Sequence, residues 1–131
     1  MESHLKIIGL SLMGLGLIHI IFPKYFDWKN ELAKLNLINR QMMYVHTFFI
    51  ALTVFLMGLL CVTSTSELLQ TELGKRIALG FSIFWAIRLF IQFFGYSSKL
   101  WREKIFETVV HMFVSVFWAY LSIVFFLIFT A

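Results

Sequence analysis

Four long apolar segments limit what this chain can fold into. They cover roughly residues 5–22, 42–62, 75–97 and 105–130. A helix needs about 20 mostly apolar residues to cross the hydrocarbon core of a bilayer. Because that core holds no water, each segment must satisfy its backbone N–H and C=O groups internally, which a helix does. We therefore predict an all-α integral membrane protein with four transmembrane helices.

Composition supports the membrane class and argues against nucleic-acid binding. The chain is 60% hydrophobic and 14% charged, whereas soluble domains are about half apolar and a quarter charged. The net charge is +4, but the cations flank apolar segments and form no dense basic run. The lipid bilayer is the expected partner, and no nucleic-acid partner is expected. The single cysteine, Cys61, allows no internal disulfide.

The connections between the segments are short, which predicts one domain, residues 1–131, folded as an up-down four-helix bundle. In the first connection Pro23 is predicted to end the first span. After it, the sequence "WKNELAKLNL" repeats apolar residues at helical spacing. This pattern predicts a short amphipathic interfacial helix at about 28–37, with Asp27 as its N-cap.

Lysine and arginine counts predict the orientation in the membrane. Loops 23–41 and 98–104 hold seven of these residues, and the opposite side holds three. Because cytoplasmic loops carry the excess of positive charge, both loops are predicted in the cytoplasm and both termini outside. We interpret the chain as a small protein of the bacterial inner (plasma) membrane.

Polar side chains inside the predicted spans concentrate in one leaflet. These residues are His19, His46, Arg88, Gln92, Glu107 and His111. At about 1.5 Å per residue, the three histidines lie about 5 to 9 Å from the cytoplasmic ends of their spans. On the same scale Gln92 lies about 8 Å and Arg88 about 14 Å from that side. Lipid exposure of an arginine costs at least a few kcal/mol, so we predict that these side chains face the bundle interior.

Two cofactor chemistries use the histidines as ligands. Haem b would take two of His19, His46 and His111 as axial ligands, with Arg88 or Arg40 near a propionate. A divalent metal would take all three histidines, with Glu107 as the fourth ligand or as the hydrogen-bond partner of His111. Neutral imidazole suits both roles.

A third chemistry is a pocket for a quinone-like molecule or a lipid headgroup. His46 and Gln92 would then bond a carbonyl or hydroxyl group, while Trp85, Tyr44 and Tyr96 would pack against the ring. A purely structural interpretation also stays open. In it, Arg88 pairs with Glu107 or with helix carbonyls, and Gln92 is an interhelical hydrogen-bonding residue.

The leading hypothesis is binding of haem, a metal or a quinone-like ligand for redox or cofactor-related work. Its partner would be a hydrophobic small molecule. A non-catalytic scaffold or assembly subunit that holds a membrane protein partner is the alternative, and a small-solute or proton-coupled carrier is a third reading. The sequence contains no HxxxH box, GxSxG, Walker loop, GxGxxG or aspartate dyad, so it assigns no enzymatic reaction. An oligomer is compatible with all three hypotheses.

Overall fold

The structure is a computed structural model that describes residues 1–96, 98–100 and 104–131. Over these residues the chain forms helices and no β-strand. In chain order the α-helices are α1 (Glu2–Ile18), α2 (Phe22–Tyr25), α3 (Trp28–Glu31), α4 (Leu37–Thr63), α5 (Thr65–Gln70), α6 (Glu72–Phe94) and α7 (Ile105–Thr130). Two 3-10 turns, His19–Ile21 and Ser98–Leu100, interrupt the connections.

Four helical stretches are long and apolar enough to cross a membrane, which confirms the predicted all-α membrane class. They are Glu2–Tyr25, Leu37–Thr63, Glu72–Phe94 and Ile105–Thr130. The chain is therefore a small polytopic membrane protein. The first stretch is longer than predicted because a 3-10 turn and α2 continue the helical path beyond α1.

Pro23 does not end the first helical stretch, contrary to the prediction. The α-helix already ends at Ile18 and tightens into the 3-10 turn His19–Ile21. Pro23 then lies in the first turn of α2. A first turn tolerates proline, since the missing N–H would have no acceptor within the helix. The proline therefore restarts a helix.

A short helix follows, as predicted, but it is a single turn and does not extend over 28–37. It covers Trp28–Glu31, and α4 has already begun at Leu37. Asp27 precedes it in the left-handed region, at φ 52°, and its carboxylate accepts from the Asn30 amide at 3.1 Å. The carboxylate therefore bonds to a side chain. The predicted role of Asp27 as a backbone N-cap is not observed.

Residues Glu2–Thr65 form one compact unit, which we call the first hairpin. In it α1 packs on α4. Gly9 lies against Gly58, and Gly16 lies against Ala51. Seven residues forward along α1 thus correspond to seven residues back along α4, so the two helices are antiparallel. Glycine allows this approach because it has no Cβ atom to hold the backbones apart.

Residues Ser66–Ala131 form a second compact unit, the second hairpin. Ser82 Oγ of α6 donates to the Ser122 carbonyl of α7 at 2.8 Å. Lys75 Nζ donates to the carbonyl of Ala131 at 2.6 Å. These pairs run in opposite directions along the chain, so α6 and α7 are also antiparallel. The assignment of all 131 residues to a single domain stays a prediction.

The predicted orientation also stays a prediction. Lys99 and Lys104, two of the cations counted for the second loop, are exposed. Arg102, the third, lies outside the described residues.

Candidate functional site

Three predicted site residues meet in the second hairpin. Arg88 and Gln92 are one turn apart on α6, and Arg88 Nη1 donates to Gln92 Oε1 at 3.2 Å. Gln92 Nε2 lies 2.8 Å from Nδ1 of His111 on α7. The Phe93 ring packs nearly perpendicular to the imidazole, with 5.7 Å between ring centroids. We call this hydrogen-bonded series of a guanidinium, an amide and an imidazole the polar row.

Gln92 and His111 of the polar row lie at the same level of the hairpin, because their side chains are directly bonded. Arg88 is one turn, or about 6 Å, further from Phe94, where α6 ends. That all six predicted polar residues share one depth stays a prediction.

Aromatic rings surround the Arg88 charge. Its guanidinium carbon lies 5.4 Å from the centre of the Trp118 ring and 5.5 Å from that of Tyr96. Trp118 in turn stacks on Trp85 at 4.7 Å, with 17° between the ring planes. A cation over an aromatic face gains about 0.5–2 kcal/mol, and more when it is desolvated. The rings therefore help to hold a permanent charge inside the hairpin.

The predicted pair between Arg88 and Glu107 is not formed in the described structure. Glu107 is exposed, two residues after the start of α7. It thus lies four residues, or about 6 Å, closer to the start of α7 than His111, while Arg88 lies one turn beyond Gln92 in the opposite direction. The guanidinium contacts Gln92 and the two rings instead.

Two buried donors beside the row have no acceptor in the part of the chain that the structure describes. Trp85 is 2% exposed and Trp118 is 5% exposed. Neither indole Nε1 has a hydrogen-bond partner among the residues that the structure describes. A buried donor without an acceptor costs about 1–3 kcal/mol, and the hydrocarbon core supplies no water to satisfy it. Such groups in a native structure require an explanation.

The other two predicted histidines belong to the first hairpin. His19 is half-buried, and its Nδ1 lies 2.8 Å from the Leu15 carbonyl oxygen. His46 is on α4 and is exposed. Across the ranges described, no group of three or more His, Cys, Asp or Glu side chains is placed to hold a metal ion. A common centre of His19, His46 and His111 stays a prediction.

The contact of Trp118 with Arg88 was not predicted, although the sequence contains its signal. Trp118 follows His111 by seven residues and so shares its helical face. Arg88 precedes Gln92 by four residues on the facing helix. In an antiparallel pair that is in register at Gln92 and His111, Arg88 is level with Ser115. Trp118 lies three residues further along the same face of α7, within reach of a long arginine side chain.

Comparison with known proteins assigns no family to the chain. No family model, curated protein or solved structure matches it. Its function must therefore be argued from the side chains of the site.

Proposed function

We propose that this membrane protein binds an amphiphilic, quinone-like ligand at the polar row, in redox or cofactor-related work. The observation that carries the proposal is the row itself. A permanent cation, an amide and an imidazole are hydrogen-bonded in series within a hydrophobic hairpin, beside a stacked pair of tryptophans.

The hydrogen-bonding character of the site favours a ligand with acceptor oxygens. A guanidinium has five N–H donors, and one of those on Arg88 is used by Gln92. The indole N–H groups of Trp85 and Trp118 add two buried donors without an acceptor in the described structure. Hydrogen bonds from a charged donor are roughly twice as strong as neutral ones. A carbonyl, phenolate or acid oxygen is the complementary group.

The surroundings favour a ligand whose remainder is apolar and flat. Ligand sites are mostly hydrophobic and aromatic, with few polar groups to fix orientation. Here the rings of Trp85, Trp118, Tyr96 and Phe93 supply the aromatic surface next to the row. A quinone-like molecule combines acceptor oxygens with a ring that stacks on indole and a tail that lipid accommodates.

The proposed setting is a bacterial inner membrane with both termini outside. The seven lysines and arginines in loops 23–41 and 98–104 support this orientation. It places the polar row in the cytoplasmic leaflet. A reporter that is active only in the cytoplasm, fused after Ala131, tests this orientation. Activity of that fusion would contradict it.

Tryptophan fluorescence tests the ligand. Purified protein in lipid nanodiscs is titrated with a short-chain ubiquinone, and saturable quenching is expected. Arg88→Met should weaken binding about tenfold or more, since a hydrogen bond from a charged group contributes about 1.5–3 kcal/mol. The matched control is Arg76→Met, an exposed cation near the other end of α6. Quenching that rises without saturation, equally in wild type and Arg88→Met, would contradict the proposal.

A visible spectrum separates the haem alternative. A Soret band in the purified protein that disappears in His46→Ala or His111→Ala would replace the quinone proposal with haem b. Metal analysis tests the divalent-metal alternative. Stoichiometric metal that is lost on substitution of His19, His46 or His111 would favour it.

A further inference from the structure

Arg88 fixes the direction of the two hydrogen bonds that join it to Gln92 and join Gln92 to His111. A guanidinium can only donate, so the bond from Arg88 must end on the oxygen of the Gln92 amide, where it is found at 3.2 Å. The NH2 group of Gln92 therefore faces His111, with Nε2 2.8 Å from Nδ1. That NH2 group also only donates. Nδ1 of His111 is thus the acceptor, and the proton of the neutral ring resides on Nε2.

We infer that Arg88, acting through Gln92, holds His111 as its Nε2–H tautomer. Any hydrogen bond that His111 makes through Nε2 is then one that it donates. A ligand that bonds to Nε2 must therefore offer an acceptor oxygen, such as a quinone carbonyl, whereas a metal or haem iron would need a lone pair there. The ligand part of this inference rests on the proposed function. The tautomer part stands on the geometry alone.

The Nδ1–H tautomer of His111 is disfavoured by the contacts of both the oxygen and the NH2 group of the Gln92 amide. A proton on Nδ1 of His111 would point at the NH2 group of Gln92, so two donors would face each other. Rotating the amide by half a turn repairs that contact but turns the NH2 group toward the guanidinium of Arg88. Gln92 is 8% exposed, so little of its side chain can bond to water instead. Each arrangement loses a buried hydrogen bond that the observed one makes.

The consequence for metal or haem binding follows from the lone pair. A histidine binds a metal through a ring nitrogen that carries no proton, while its other N–H is held by an acceptor. The lone pair of His111 is on Nδ1 and is used by Gln92. His19 has the reverse arrangement, since its Nδ1 faces the carbonyl of Leu15, which can only accept. In the neutral form of this ring, the lone pair is then on Nε2.

His111 and His19 are expected to carry the proton on opposite ring nitrogens, so one experiment can compare them. Protein labelled with 15N-histidine is placed in lipid nanodiscs, and long-range 15N–1H correlations report which ring nitrogen carries the proton. Single His→Asn variants assign the signals. We expect His111 with the proton on Nε2 and His19 with the proton on Nδ1, in the same spectrum.

Substitutions of Arg88 test its role in positioning His111. Arg88→Met leaves the Gln92 amide able to rotate, so both His111 tautomers should appear. Arg88→Lys retains a donor and should retain the single Nε2–H form. Arg76→Met should leave the His111 signals unchanged. A single Nε2–H form that persists in Arg88→Met would overturn the role assigned to Arg88.

The wild-type spectrum keeps the inference testable even if a variant does not fold. A proton on Nδ1 of His111 would overturn it, as would stoichiometric Zn²⁺ binding that shifts the His111 ring-nitrogen signals. The Nε2–H form without saturable ubiquinone binding would contradict the proposed function and still support the assignment of His111 as a donor. Failure of one is therefore distinguishable from failure of the other.

Discussion

Gly9 and Gly58 face each other across the first hairpin, and a Cβ atom on Gly58 would meet the carbonyl oxygen of Gly9. The backbone nitrogen of Met13 would lie 2.8 Å from the same Cβ. Since both obstacles are backbone atoms, neither moves aside as a side chain can. The close approach of α1 and α4 therefore depends on glycine at this position.

Gly58→Ala is expected to destabilise the first hairpin by about 1–3 kcal/mol, the usual cost of overpacking a tight contact. Thermal unfolding in detergent measures the loss. The control is Gly14→Ala in α1, where an added Cβ meets nothing within 4 Å. That change should be neutral or stabilising, because alanine is the better helix former. Equal effects of the two substitutions would contradict the close approach.

Thr71→Ala is expected to cost about 0.5–2 kcal/mol, because Thr71 is the N-cap of α6. Its hydroxyl oxygen accepts from the Gly74 N–H at 2.9 Å. Thr71→Ser keeps the hydroxyl and should retain most of the stability. Denaturant titrations of the two variants provide the comparison, and similar losses in both would argue against the cap.

A double-mutant cycle between Gln92→Leu and His111→Leu should give a coupling of about 0.5–3 kcal/mol, since the two side chains are directly bonded. The same cycle between Arg88→Met and Glu107→Gln should give a value near zero, because those two side chains are not paired in the described structure. Unfolding free energies of the single and double variants measure both couplings. A larger coupling between Arg88 and Glu107 than between Gln92 and His111 would instead support the ion pair predicted from the sequence.

The stacked indoles of Trp85 and Trp118 should contribute a distinct near-ultraviolet circular dichroism signal. Because the signal needs both rings, Trp85→Phe and Trp118→Phe are each expected to remove it. Trp28→Phe is the control, since Trp28 lies in the first hairpin against Tyr44. If the two substitutions removed different features, the rings would not be coupled.

The convergence of Arg88, Gln92 and His111 follows from the sequence because it depends on two regular quantities. Rise per residue gives the depth of each side chain, and rotation per residue gives its face. The partner of Arg88 depends instead on where α7 begins and on which rotamer a long side chain adopts. Because Gln92 is level with His111, Arg88 lies one turn further into the hairpin, toward the indole of Trp118 and away from the carboxylate of Glu107.

The first connection shows a second limit. The apolar spacing over 28–37 fits a helix, but spacing does not show where a helix stops. In the structure a left-handed Asp27 starts the single turn Trp28–Glu31, and α4 takes over at Leu37. His46 is a similar case. Periodicity predicts which face of α4 carries His46, but it does not predict whether another helix covers that face, and His46 is exposed in the structure.

The polar row also has a consequence for how the second hairpin enters the membrane during synthesis. An arginine at the centre of a helix opposes insertion by about 2.5–3.5 kcal/mol on translocon scales. The helix that carries Arg88 is the least apolar of the four spans, and α7 is the most apolar. Gln92 and His111 bond the two together. We expect the translocon to release α6 and α7 into the bilayer as a pair. The favourable insertion free energy of α7 would then offset the cost of inserting Arg88.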